Sequence, residues 1–85
     1  MKPRFELAFT KEFLRKLKKL NKQTQIRILH QLRILEEKPF AGKRLTGRLT
    51  ELFSLRVGNY SIIYQPLENK TIIRTVSHRK TAYER

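Results

Sequence analysis

The stretch Leu55-Arg56-Val57-Gly58-Asn59-Tyr60-Ser61-Ile62-Ile63-Tyr64 decides the fold. Runs rich in β-branched, aliphatic and aromatic residues flank a Gly-Asn pair that tolerates positive φ. The segment therefore reads as two antiparallel strands around a tight hairpin. The first strand is expected over 49–57 and the second over 60–65, where Pro66 ends it because proline has no amide for a ladder. Glu68-Asn69-Lys70 then turns the chain into a third strand over 71–76, Thr71-Ile72-Ile73-Arg74-Thr75-Val76. The tail that follows, Ser77-His78-Arg79-Lys80-Thr81-Ala82-Tyr83, is dense in proton-transfer and phosphate-binding groups.

Upstream of the hairpin the periodicity changes. Residues 5–9 alternate, with Phe5, Leu7 and Phe9 on one face, as in a half-buried strand. Thr10 can cap a helix over 11–20, whose apolar positions Phe13, Leu14, Leu17 and Leu20 fall at helical spacing. Asn21 separates it from a second helix over 22–37, with a stripe of Ile28, Leu32 and Leu35 widened by Leu29, and Pro39 stops it. Two helices with so short a turn form a hairpin that needs a sheet to cover. Residues 40–48, with two glycines, read as an extended loop. The expected class is α+β: a small antiparallel sheet with an N-terminal strand and a helical hairpin packed on it, in the order β-α-α-β-β-β. That first strand returns to the sheet after two helices and pairs with a later strand.

Charge is the strongest compositional signal. Twenty Lys and Arg stand against seven acids, all Glu, for a net +13 over 85 residues. Such an excess attracts polyanions, and nucleic acid is the natural partner. A thermophile's charged surface would balance Lys with Glu, and that balance is missing. One domain spanning 1–85 is expected, burying about 60–65% of the surface its unfolded chain exposes. There is no cysteine, so neither disulfide nor thiolate metal site supplements the core. No apolar run approaches the ~18–20 residues of a membrane span. Glu6 interrupts the N-terminal apolar stretch, which does not read as a signal peptide. The expectation is a cytoplasmic protein with no membrane partner.

The histidines are His30 and His78; the tyrosines are Tyr60, Tyr64 and Tyr83. Two distant histidines and scattered glutamates match no zinc spacing, and the three glycines form no phosphate loop. No metal and no cofactor are expected. What remains is general acid–base chemistry with cationic stabilisation. RNA can be cut without a metal when its own 2′-hydroxyl attacks: a base takes that proton, a cation holds the charge at phosphorus, and an acid protonates the leaving 5′-oxygen. His78 can serve as base or acid, Arg56 and Arg79 can fork onto phosphate, and Tyr83 can stack on a base or donate its proton. If their strands are neighbours, Arg56 and His78 converge on one sheet face. The duller readings are a strand-end role for His78, solvated Arg56 and Arg74, packing roles for Tyr60 and Tyr64, and a structural His30. The clusters Lys16-Lys18-Lys19 and Lys43-Arg44-Arg48 suit diffuse phosphate contacts or a solvated face.

The hairpin resembles the Arg-Val-Gly-Asp-Tyr-Arg-Val-Ile-Tyr stretch of RelE/ParE-superfamily toxins. Lys43-Arg44-Leu45-Thr46-Gly47 resembles the Lys-Leu-x-Gly that leads into it, and His78-Arg79-Lys80-Thr81-Ala82-Tyr83 the His-Arg-x-x-x-Tyr ending of the RelE branch. The resemblance covers essentially the whole chain. It implies the toxin of a type II toxin–antitoxin pair, a metal-independent endoribonuclease that enters the ribosomal A site and cuts mRNA there. The implied catalytic residues are Arg56, Arg79 and Tyr83, assisted by His78, with Lys43, Arg44, Arg48, Arg74 and Lys80 contacting RNA. The implied partners are the ribosome with its mRNA and an acidic, RelB-like antitoxin. The chain departs from the pattern at Ser61, where RelE members usually carry Arg, and at Ser54, where many carry Lys or Arg. Losing one such contact costs about 2.7–4 kcal/mol of transition-state stabilisation, so the departures imply weak cleavage or compensation by Arg74 or Arg48. The alternatives are a ParE-like inhibitor of DNA gyrase, and a toxin homologue that binds RNA without cutting it.

Overall fold

The computed structural model describes residues 5–45 and 51–78. The chain runs through β1 (Glu6–Phe9), α1 (Lys11–Lys18), α2 (Lys22–Leu32), a 3-10 turn (Arg33–Glu36), β2 (Lys43–Arg44), β3 (Phe53–Val57), β4 (Tyr60–Pro66) and β5 (Lys70–His78). The architecture is α+β, with a five-stranded sheet in the order β1-β5-β4-β3-β2. The sheet is mixed rather than wholly antiparallel. β2 to β5 form an antiparallel meander, while β1 lies parallel to β5 in the register Leu7 to Thr71 and Phe9 to Ile73. Parallel pairing is open to β1 because a long connection, including the helical hairpin, separates it from β5.

Each helix begins where a side chain satisfies an orphan amide. Asn21 Oδ1 accepts from the Thr24 N–H at 2.8 Å, and Thr10 Oγ1 accepts from the Phe13 N–H at 3.1 Å. Thr10 does more than cap. Its hydroxyl donates to the Arg74 carbonyl at 2.6 Å, and its own N–H donates to the Ile73 carbonyl at 3.1 Å. Those carbonyls flank an irregularity. Ile63 pairs with Thr75 but Tyr64 pairs with Ile73, which leaves Arg74 as the extra residue of a bulge in β5. The start of α1 is thereby fastened to the one place where the β4–β5 ladder is interrupted.

Phe13 and Leu17 of α1, Ile28 and Leu32 of α2, and Leu35 of the 3-10 turn are buried against Phe53, Val57, Ile62, Tyr64, Ile73 and Val76 of the sheet. Burying one such side chain contributes about 1.5–3 kcal/mol, so this cluster is the main term set against chain entropy. Thr71 is also fully buried, and its hydroxyl has no partner among the described residues. The second helix, expected over 22–37, is α-helical only to Leu32 and then tightens, which keeps Leu35 in the core ahead of Pro39. The strand expected over 49–57 begins at Phe53 among the described residues. The loop expected over 40–48 contains β2, whose Lys43 and Arg44 pair with Ser54 and Phe53.

Gly58 and Gly42 are each required by local geometry. Gly58 has φ of +61° and no other described residue has positive φ, so the two-residue hairpin loop needs glycine only at its first position, as in a type II′ turn. Gly42 is required by space. Its N–H donates to the Tyr64 hydroxyl at 2.8 Å, and a Cβ there would lie 2.6 Å from both that hydroxyl and the Ser54 carbonyl oxygen. Gly42→Ala is expected to cost about 1–3 kcal/mol by overpacking, read as a lower denaturant midpoint at unchanged slope.

Burial raises the Tyr64 phenol above its ordinary value of 10.0, and the bond from Gly42 lowers it by less. A raised folded-state value means the stabilisation is complete below about pH 10 and is lost as pH climbs through the folded-state value. Tyr64→Phe should therefore flatten the alkaline fall of unfolding free energy while costing about 1–3 kcal/mol at neutral pH through the stranded Gly42 amide; chemical denaturation across pH 7–11 measures both.

Candidate nucleic-acid face

Side chains alternate across a pleated sheet, so the register assigns each strand residue to a face. On the helix side run the rows Phe53–Tyr64–Ile73, Leu55–Ile62–Val76 and Val57–Tyr60–His78. On the other side run Lys43–Ser54–Ile63 and Arg56–Ser61–Ser77. The apolar residues of α1, α2 and the 3-10 turn are buried in the cluster on the first face, and α1 reaches the second only at the β5 rim, where the Lys16 ammonium donates to the hydroxyl of Thr75, the partner of Ile63, at 3.2 Å. Arg56 and Lys43 are exposed on the second face, and Ser54, Ser61 and Ser77 are half-buried.

Arg74 joins them from the bulge. It is exposed, and its Nη1 lies 3.5 Å from Oε1 of Gln65, a long hydrogen bond onto a residue whose register puts it on the same face. Three cations thus border a row of hydroxyls. Arg56 and Ser77 sit two strands apart, roughly 10 Å, and Ser61 lies between them. That opening suits a phosphodiester, with hydroxyls to donate and guanidinium groups to carry the charge. Arg44, expected to contact RNA with them, is not in this group: it pairs with Phe53 and so belongs to the helix side, and its Nη2 forms an exposed ion pair with Glu51 at 3.1 Å.

The expectation that Arg56 and His78 share a sheet face is not met. His78 is the last residue of β5 and pairs with Tyr60, which pairs with Val57, one residue from Arg56. Their side chains therefore belong to opposite faces. The His78 ring stands edge-on to Tyr60, 4.9 Å between centroids at 89°, beside a groove shared with Lys16, Lys19, Leu20, Val76 and Ser77. Ser77 takes the position on the Arg56 face instead. Arg48, Arg79, Lys80 and Tyr83 lie outside the described residues, as do Thr46 and Gly47 of the Lys-Leu-x-Gly resemblance; the chain leaves β5 towards that tail at His78.

Tyr60 and Tyr64 pack as expected, Tyr64 fully buried and Tyr60 half-buried against the core. His30, expected to be structural, is exposed on α2 beside Gln23, Thr24, Ile26 and Arg27. Sequence reasoning missed Arg27. Its guanidinium reaches the hairpin turn, where a Cβ on Gly58 would lie 3.4 Å from its Nη1. No local pattern announces this, since 31 residues separate the two (58 − 27).

The likeness to known proteins follows this geometry. A comparison with curated protein sequences gives no match. Among solved structures, the toxin–antitoxin complex RelBE2 from Mycobacterium tuberculosis contains a chain 27% identical, with a TM-score of 0.77 over 89% of this chain and 99% of that one. The archaeal RelE–RelB complex from Pyrococcus horikoshii OT3 gives 24% identity and 0.77 over 88% and 94%. The intact E. coli RelBE complex gives 21% and 0.78 over 95% and 99%. The latter two, at their identities, speak for the fold alone. The profile of the ParE toxin of the type II toxin–antitoxin system parDE matches residues 7–83, and the chain therefore belongs to that family, a type II toxin of the RelE/ParE superfamily.

Proposed function

We propose that this toxin is a metal-independent endoribonuclease that cuts mRNA in the ribosomal A site, in the manner of the RelE branch. The observation that supports the reading is the largely open sheet face, where Lys43, Arg56 and Arg74 border the hydroxyls of Ser54, Ser61 and Ser77. The 2′-hydroxyl of the bound nucleotide attacks phosphorus and gives its proton to water; the P–O2′ bond forms, the P–O5′ bond breaks with the leaving 5′-oxygen taking up a proton, and a 2′,3′-cyclic phosphate remains. Arg56 holds the non-bridging oxygens, whose charge grows in the transition state. Arg79 adds a second guanidinium and Tyr83 stacks on the base or supplies a proton, both from the tail that follows β5. Arg48 and Lys80 contact the RNA backbone. His78, turned towards Tyr60, holds the end of the strand from which that tail departs. The partners are the ribosome with its mRNA, and an acidic RelB-like antitoxin that neutralises the toxin by covering cationic surface. The activity is cytoplasmic, and among the described residues no helix is long and apolar enough to cross a membrane.

Ser61 sits at the centre of the hydroxyl row, where a guanidinium would meet the phosphate. Ser61→Arg is therefore expected to raise cleavage by about tenfold or more, the converse of losing one transition-state donor, measured as codon-resolved mRNA cuts in a translating extract. An unchanged or lower rate in a folded variant removes this face from the chemistry.

Arg79→Ala and Tyr83→Phe should each abolish the A-site cuts while leaving the fold intact by circular dichroism. Intact mRNA in the presence of ribosome-bound wild-type toxin defeats the nuclease reading. A second reading, inhibition of DNA gyrase, is favoured by the ParE profile and by the absence of cations at Ser54 and Ser61. It requires cleaved-DNA complexes in a supercoiling assay, which the nuclease does not produce.

A further inference from the structure

Beyond Phe9, α1 takes over the edge of β5. β1 pairs with β5 only as far as Phe9 and Ile73. Thr10 then fastens the first turn of α1 to the Ile73 and Arg74 carbonyls. Glu12 and Lys16 are thereby brought to the next residue of β5, Thr75. The Lys16 ammonium lies 3.3 Å from a Glu12 carboxylate oxygen and donates to the Thr75 hydroxyl at 3.2 Å. That hydroxyl donates in turn to Glu12. Thr75 pairs with Ile63, so its side chain belongs to the cationic face. A carboxylate of the helix layer is thus carried round the rim of the sheet, to the face where Arg56, Ser61 and Ser77 form a row.

Helix physics explains part of this. An acid in the first turn complements the helix dipole, and Glu12 forms an i, i+4 pair with Lys16. Neither effect asks Glu12 to meet a hydroxyl on a strand 63 residues away (75 − 12). The chemistry of the face does ask for a carboxylate. Around the Arg56–Ser61–Ser77 row the described side chains are cations and hydroxyls, which take no proton near neutral pH. Glu6 shares the face through its pairing with Lys70, but Lys70 is seven residues from Ser77 (77 − 70), about 23 Å along the strand. His78 is turned to the other side, against Tyr60. Thr75 is two residues from Ser77 (77 − 75), about 6.6 Å, a gap that one water and a ribose can span.

Given the nuclease reading above, on which this rests, we infer that Glu12 is the proton acceptor of the cleavage step and takes up the 2′-hydroxyl proton through one water. As the P–O2′ bond forms, the proton of the 2′-oxygen passes to the water, and a proton of that water passes to Glu12, which becomes a neutral acid. The P–O5′ electron pair leaves with the 5′-oxygen, which takes a proton from solvent or from Tyr83. Glu12 then returns its proton to solvent. The Thr75 hydroxyl, then Lys16 and Arg15, hold the Glu12 carboxyl below its ordinary value of 4.5, so it is ionised at neutral pH. Those two cations of its own helix are the charges that face it. From β5 it meets the Thr75 hydroxyl, while the neighbouring Arg74 guanidinium turns to Gln65.

The test is single-turnover cleavage of mRNA on purified ribosomes with an open A-site codon, with full-length toxin in excess, from about pH 6 to 9. Glu12→Gln, whose carboxamide oxygen still accepts from Thr75 and Lys16, should cut about 100-fold or more slowly. The wild-type rate should change little over this range, because its acceptor is already ionised. The Glu12→Gln rate should climb about tenfold per pH unit, as hydroxide takes over the role. Acetate should restore cutting by Glu12→Ala in proportion to its concentration, where equal chloride does not. Both variants should keep the wild-type thermal midpoint to within a few degrees, since the ion pair they break is exposed. A Glu12→Gln rate within about twofold of wild type overturns this role and leaves the nuclease standing. So does a slower Glu12→Gln whose pH profile runs parallel to that of wild type, which marks Glu12 as a structural tie between α1 and β5. A wild type that leaves the mRNA uncut defeats the nuclease reading, and the role of Glu12 falls with it.

Discussion

The hydroxyl of Thr10 fixes how the two layers meet. It accepts the Phe13 amide in the first turn of α1 and donates to the Arg74 carbonyl, while the Thr10 amide reaches the Ile73 carbonyl. One residue thus ends β1, starts the helix layer and ties both to the β5 bulge. The bulge lets Ile73 and Val76, three apart, both reach the core. It also places Arg74 outside, where its guanidinium reaches Gln65. A strand with strict alternation from Ile73 onward would turn Val76 outward. The apolar cluster under the helices and the cationic sheet face therefore depend on the same backbone irregularity.

Much of the fold was legible in the sequence, for local reasons. Gly58-Asn59 between apolar runs specifies a hairpin whatever surrounds it. Thr10 and Asn21 cap the helices they precede, and the spacing of Phe13, Leu17, Ile28 and Leu32 marks the buried stripes. β2 was not legible, because nothing in Lys43-Arg44 favours a strand. It pairs with β3 next to Gly42, whose amide finds the hydroxyl of Tyr64, 22 residues away. The α-to-3-10 change at Arg33 was likewise hidden, since both forms bury Leu35.

The candidate site was legible in residue type and only partly in placement. Arg56 as an exposed strand cation follows from alternation with Leu55 and Val57. The face taken by His78 does not, because it depends on register carried across β4, and one residue of offset reverses a side chain. A signal for the bulge was present: Ile73 and Val76 are apolar positions that no period of two can bury together. With that noticed, Arg74 reads as the extra residue. Arg27 at the hairpin turn is a tertiary fact with no sequence precursor. The cations fall on both sides of the sheet, so charge alone marks no single face as the site.

The rims of the sheet have a separate consequence. β1 contributes four residues to one edge and β2 only two to the other, and those two are Lys43 and Arg44. At β2 an incoming strand from another molecule would meet two positive charges. Among the described residues, that short, charged rim works against molecules joining edge to edge into continuous β-structure.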